Sequence, residues 1–215
     1  MPSLPTTLPD DPLPTAKRWL AEAEALGRRN PNAIALASVD RTGRPSVRMV
    51  LLKDLVAAGY LVFYTNYGSR KAAEIEATGR AAAVLYWHEL GRQVRFEGLV
   101  VRSPEAESDA YFATRPRQSQ ISAWTSEQSR PLANLGELER RASRVAAEKG
   151  GGAASQQPLP RPEFWGGYRL WLDAVELWVE GAHRFHERAR YERRLEPKDA
   201  HSFTADRWRW QRLQP

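Results

Sequence analysis

The 215-residue chain contains no cysteine. That excludes disulfides, thiolate metal sites and a cysteine nucleophile. Its four histidines, at 88, 183, 186 and 201, show no helical metal-ligand spacing, so no metal site is expected. No apolar run approaches eighteen residues, so no membrane-spanning helix is expected. The opening MPSLPTTLPDDPLPT has neither a basic stretch nor an apolar stretch of the secretory kind, and a cytoplasmic location is expected. Gly-x-Gly-x-x-Gly and Walker-type loops are missing, as are a close carboxylate pair and a distinctive Ser/His/Asp order. Those absences argue against a parallel nucleotide-binding sheet and against glycosidase and protease chemistry.

Hydrophobic residues make up 42% of the chain, enough for an ordered core, and the length suits one sizeable domain or two very small ones. The net charge is +6. Nucleic acid is the first partner such a charge suggests. Yet Arg far outnumbers Lys, the arginines are scattered among Trp and Tyr, and there is no basic tail. Small phosphorylated ligands use such arginines equally well.

Residues 1–14 are Pro-rich and read as a mobile leader, with a single domain over 15–215. TAKRWLAEAEALGRR has helical spacing. AIALASVD, RTGRP and SVRMVLLKD read as strand, turn and strand, and GYLVFYTN as another strand. SRKAAEIEATG reads as a short helix with Ser69 as N-cap and Gly79 as stop. RAAAVLYWHE and RQVRFEGLVVRS pair as strands, Ser103 and Pro104 open a helix, and DAYFATR ends it before Pro116. RPLANLGELERRASRVAAEKG is helical, and GGGAASQQPLPRP is a flexible loop. YRLWLDAVELWVEG, HRFHERARYE and DRWRWQRLQP read as three final strands. Strands that follow one another through short turns predict an antiparallel sheet or barrel with helices at its side.

Four stretches carry chemistry. In TNYGSRKAAEIE, Arg70 and Lys71 sit in the first helical turn, where the macrodipole disfavours cations. Either an anion lies between them on free backbone N–H groups, or they are two solvated side chains that tolerate the penalty. In VRMVLLKD, Arg48 and Lys53 bracket apolar residues and, on a regular strand, point to opposite faces. In DAYFATRPRQSQISAW, Tyr111 and Arg115 are four apart on a helix face, Pro116 turns the chain, and Ser119 follows. A phenol, a guanidinium and a hydroxyl there suit a phosphate, or else an ordinary amphipathic helix end. In GAHRFHERARYERR, read as a strand, Arg184, His186 and Arg188 share one face. Trp178 reads as core and Gln93 as a solvent-facing residue.

In combination, RMVLLK, VFYTNYGSRK, RQV, YFATRPRQSQISAW, SEQS, FWGGYR, ELW and HRFHERARY resemble the pyridoxine/pyridoxamine 5′-phosphate oxidases, in that family's order, from about residue 30 to the C-terminus. The resemblance implies a mainly β fold with flanking helices, an antiparallel FMN-binding split β-barrel active as a homodimer with FMN at the interface. It implies FMN contacts from Arg48, Met49, Val50, Leu51, Leu52, Lys53, Tyr64, Thr65, Arg70, Lys71, Gln93, Gln128, Ser129, Trp178 and Arg188. It implies that Lys53, Tyr111, Arg115 and Ser119 hold the substrate phosphate, and that Arg184 and His186 are the catalytic residues at the pyridine ring, there to place the substrate. The implied reaction oxidises pyridoxamine or pyridoxine 5′-phosphate with O2 to pyridoxal 5′-phosphate and hydrogen peroxide, without nucleic acid, membrane or metal. Departures are the acidic Pro-rich leader, the chain's first cation being Lys17 beyond it, Phe185 and Glu187 where Leu and Asp are commoner, and the RLQP ending. The last two resemble the phenazine-biosynthesis flavin oxidases, the second reading.

Overall fold

The computed structural model of the chain describes residues 3–150 and 159–215. Helix α1 (Leu13–Ala25) leads into strands β1 (Ala33–Val39), β2 (Pro45–Leu51), β3 (Asp54–Val56) and β4 (Tyr60–Asn66). Helix α2 (Arg70–Thr78) precedes β5 (Arg80–Trp87) and β6 (Arg92–Arg102). Helices α3 (Glu105–Thr114), α4 (Arg117–Thr125) and α5 (Leu135–Gly150) follow, then β7 (Trp165–Val179), β8 (Glu187–Glu192), β9 (Leu195–Asp199), β10 (Ser202–Ala205) and β11 (Arg209–Leu213).

The main sheet is antiparallel, in the order β11-β8-β7-β6-β5-β1-β2. The 15-residue β7 organises it. One side of β7 pairs with β6 along almost its whole length, while the other pairs first with β4 and then with β8. The sheet curls until the end of β2 meets β4, where the Lys53 N–H donates to the Val62 carbonyl at 2.8 Å. A bulge at Glu97/Gly98 helps the curl. Gly98 is required there, because a Cβ would lie 1.8 Å from the Trp171 carbonyl oxygen. The result is the expected antiparallel split barrel with flanking helices.

The core fills the curl. Strand β1 alternates, with Ile34 and Leu36 pointing in, whereas β7 is buried along most of its length, as a central strand covered on both faces must be. Phe63, Phe96, Tyr168 and Tyr191 are fully buried. Each large apolar side chain removed from water contributes about 1.5–3 kcal/mol.

The leader's described residues 3–12 lie against the body of the protein. Leu4 and Leu8 are buried with Leu13 in the main core, the Leu4 N–H donates to Glu187 Oε2 at 3.1 Å, and Arg212 Nη2 donates to the Pro5 carbonyl at 2.7 Å. The segment 182–186 is not strand. Ala182–Arg184 form a 3-10 turn, with His183 at φ 54° and Arg184 at φ 68°, and β8 begins at Glu187. The helix expected from residue 130 starts only at Leu135. The glycine-rich loop lies outside the described residues for 151–158.

Candidate active site

One end of the cleft is built by the start of α2. Ser69 caps the helix as expected, its side chain accepting from the Ala72 N–H, and Gly79 closes it at φ 67°. The Arg70 N–H, a free donor of the first turn, finds Ser129 Oγ at 3.2 Å, and Ser129 reaches it with a positive φ of 74°. Lys71 turns inward. Its ammonium is buried and donates to Thr65 Oγ1 (3.0 Å), Ser69 Oγ (3.2 Å) and Gln128 Oε1 (2.9 Å). Among the described residues no carboxylate is ion-paired with it. Burial, helped by the Arg48 charge and opposed by Glu74, pulls the Lys71 pKa down to about 8. A buried cation held only by neutral oxygens is suited to receive an anion.

Behind these cations stands Glu74, also buried. It accepts from Ser38 Oγ (2.6 Å), Ser46 Oγ (2.5 Å), Arg48 Nη2 (3.1 Å) and Arg70 Nε (2.7 Å). Burial pushes its carboxyl up, but the hydrogen bonds from Ser38, Ser46 and Arg70, with the Arg70 charge, hold it at about 2. The Arg48 guanidinium also donates to the Leu36 carbonyl and Ser38 Oγ, so its orientation is fixed.

The other wall comes from the α3–α4 junction. Tyr111 on α3, Arg115 at its end and Ser119 on α4 all line the cleft. Tyr64 and Tyr111 stack with centroids 3.9 Å apart, Trp165 stacks behind Tyr64 at 5.4 Å, and the Arg115 guanidinium lies 4.5 Å from the Trp165 ring. Lys53 approaches Tyr111 from the β2–β3 connection, 5.7 Å from the ring centre. Burial lowers the Arg115 pKa, with Tyr111 opposing, and Arg115 Nη1 is buried without a hydrogen-bond partner. That orphan donor is a second place for an anion.

Together these walls enclose a cleft of about 910 Å³. It is lined by Arg48 to Leu51, Lys53, Tyr64, Thr65, Arg70, Lys71, Tyr111, Arg115, Ser119, Gln128 and Ser129. Leu52 does not line it; its side chain is in the core. Arg48 and Lys53 do share the cleft, contrary to the two-face reading, because β2 stops at Leu51 and releases Lys53 from the pleat. A second cavity of about 550 Å³ adjoins it, sharing Asn66 and Gln128 and reaching Phe164 and α5.

Gln93, Trp178, Arg184, His186 and Arg188 are not in this chain's cleft. Gln93, Trp178 and Arg188 form one cross-strand row on β6, β7 and β8. The His186 ring packs on Trp178 at 4.6 Å, and its Nδ1 lies 3.3 Å from the Gly181 N–H. Arg188 is clamped by Glu176, with Nε to Oε1 at 2.9 Å and Nη2 to Oε2 at 3.2 Å. Arg184 leaves the expected Arg-His-Arg face and stands exposed on the 3-10 turn. The row sits at the far end of β7 from Trp165, about 40 Å along an extended strand of that length. Trp165, Glu74 and Glu176 were not singled out in the sequence, since a Trp or Glu in a strand or short helix carries no signal of what it will face.

A curled antiparallel sheet with such a cleft defines a split β-barrel. Solved structures with the same fold include PhzG from Burkholderia lata in complex with tetrahydrophenazine-1-carboxylic acid (TM-score 0.81, 34% identity, 96% of this chain and 94% of that one). A pyridoxamine 5′-phosphate oxidase-related, FMN-binding protein from Nostoc punctiforme shares the fold at a TM-score of 0.71 and 16% identity, covering 95% of this chain and 98% of that one. Residues 20–149 match the family described as pyridoxamine 5′-phosphate oxidase, and residues 165–215 match the pyridoxine 5′-phosphate oxidase C-terminal dimerisation region. The pyridoxine/pyridoxamine 5′-phosphate oxidase of Cereibacter sphaeroides is 49% identical over 206 residues, 96% of both chains. That of Rubrobacter xylanophilus is 47% identical over 205 residues, covering 95% of this chain and 87% of the relative. The chain belongs to the pyridoxine/pyridoxamine 5′-phosphate oxidase family.

Proposed function

We propose that this protein oxidises pyridoxamine 5′-phosphate and pyridoxine 5′-phosphate with O2, using FMN, as a homodimer. The observation that carries the reading is the presence of two anion sites in one cleft. One is the Arg48, Arg70 and Lys71 group at the α2 N-terminus; the other is Lys53, Arg115 and Ser119 at the α3–α4 junction. Two phosphorylated aromatic molecules, cofactor and substrate, need such a pair. In this reading the first group, with Thr65, Gln128 and Ser129, binds the FMN phosphate, and Arg48 to Lys53 and Tyr64 flank the flavin. The second group, with Tyr111, binds the substrate phosphate. Gln93, Trp178 and Arg188 of a second copy of the chain complete the flavin site, and its Arg184 and His186 meet the pyridine ring.

Bound FMN supplies the two-electron acceptor for oxidation of the substrate 4′ carbon, and O2 carries the electrons on to hydrogen peroxide. The amine with O2 and water gives aldehyde, ammonia and peroxide; the alcohol with O2 gives aldehyde and peroxide. The chain's own work is placement. Two fixed phosphate grips set the distance between the partners, which converts a collision into an oriented encounter. Arg188, held by Glu176, offers a rigid cation beside the charge that develops. Its Glu176 partner keeps it from swinging away. Arg184 and His186 orient the ring and are not assigned a proton step.

The test is a visible spectrum of the purified protein, followed by pyridoxamine 5′-phosphate in air with aldehyde and peroxide measured. A flavin spectrum and both products are expected. The PhzG likeness motivates the second reading, an oxidase of reduced phenazines. Turnover of tetrahydrophenazine-1-carboxylic acid with none of the phosphorylated pyridines would select it.

A further inference from the structure

We infer that Glu74 is a positioning residue for the cofactor phosphate: buried behind Arg48 and Arg70, it aims both guanidiniums into the cleft and sets the charge of the site to match a phosphate dianion. The inference rests on the reading that the α2 end of the cleft takes the phosphate of FMN.

Glu74 itself does not line the cleft, whereas Arg48, Arg70 and Lys71 do. Its side chain is 5% exposed, against 20% for Arg48 and 52% for Arg70. Oε1 takes Arg70 Nε; Oε2 takes Arg48 Nη2 and the hydroxyls of Ser38 and Ser46. Every oxygen is therefore committed to a donor, and two cations from different elements, β2 and α2, are tied to one anchor. A half-exposed arginine loses side-chain entropy on ordering, and an existing ion pair lessens that loss when a ligand arrives.

The charge balance points the same way. Arg48, Arg70 and Lys71 against Glu74 leave a net of two positive charges. A phosphate monoester at neutral pH carries about −1.5 to −2. Without Glu74 the empty site would hold three crowded cations, and Lys71, already depressed by burial and by Arg48, would lose the carboxylate that supports its charge. The sign of the effect is not obvious in advance, because removing a carboxylate near an anion site could tighten binding. Its place behind the guanidiniums decides for loss, since the donors it aims contribute more than its own screened repulsion removes.

The experiment titrates the flavin-free full-length protein with FMN and with riboflavin, which lacks the phosphate, and follows quenching of flavin fluorescence. The wild type should bind FMN far more tightly than riboflavin. Glu74→Gln should weaken FMN about tenfold, the loss of one well-placed charge-assisted hydrogen bond, and leave riboflavin within a factor of about two. Glu74→Asp keeps the charge but cannot reach all four donors, so it should fall between the two on FMN alone; if the Gln variant does not fold, the comparison is read on Asp. Unchanged or tighter FMN binding overturns the inference. Equal weakening of both flavins also overturns it, since that marks general damage rather than phosphate positioning. A wild type that does not distinguish FMN from riboflavin overturns the phosphate reading of the cleft itself.

Discussion

At the scale of single residues, the site is set by where cations are allowed to be buried. Lys71 is a buried residue whose ammonium has only neutral hydrogen-bond partners, a costly arrangement unless an anion completes it. Its lowered pKa makes a test. The protonated form attracts the phosphate and the neutral form does not. FMN affinity of the flavin-free protein should therefore hold steady from about pH 6, where the phosphate becomes a dianion, and decline above about 8 as Lys71 loses its proton. Lys71→Met should bind FMN about tenfold more weakly at pH 7 and show no break near 8. A break that survives in Lys71→Met would assign it to another group. The sequence did raise an anion at this helix start, because two cations in a first turn oppose the dipole. It could not reveal Glu74's role, since an i,i+4 partner for Arg70 looks like an ordinary surface pair until Ser38, Ser46 and Arg48 are seen to converge on it from other strands.

At the scale of elements, regular pieces were legible and irregular ones were not. The caps of α2, the β5–β6 pair and the β1–β2 hairpin follow directly from Ser69, Gly79 and the turn RTGRP. The segment 181–186 has alternating character, yet two consecutive positive φ angles and a tight return at Gly181 make it a turn. Glycine is needed there for space, not torsion, because a Cβ at Gly181 would lie 1.8 Å from the Phe185 carbonyl oxygen. This turn carries Arg184 and His186. Gly181→Ala should open it, displace both side chains and lower kcat/KM at least tenfold, since misplacement of about 1 Å costs about 100-fold, while FMN affinity stays within about threefold. Steady-state kinetics beside a flavin titration checks this. Equal loss in both would mean that the turn supports the fold and not the substrate. The packing of the leader was not legible for a related reason: its proline-rich sequence has no regular period, yet Leu4, Leu8 and Leu13 all lie in the core.

At the scale of the molecule, β7 runs from the cleft to the turn that carries Arg184. It begins at Trp165 in the cleft wall and carries Trp178 near its other end, so on the proposed reading Arg115 and Arg184 of one chain serve different sites. The edge strand β2, which lines the cleft, leaves Val47 and Met49 at 68% and 62% exposure, an apolar face suited to a second copy. Residues 165–215 match the family's dimerisation region. If a twofold dimer builds each site from the cleft of one chain and the turn of the other, two dead variants should rescue each other. Arg115→Met and Arg184→Ala should each retain FMN and lose most turnover. Refolded together in equal amounts, half of the dimers would be mixed, and each mixed dimer would have one site with both defects and one with neither. About a quarter of all sites should then be intact, so activity should recover to about a quarter of wild type. Activity no higher than the mean of the two variants, with mixed dimers confirmed by mass, would overturn the assignment of the two arginines to opposite chains of one site.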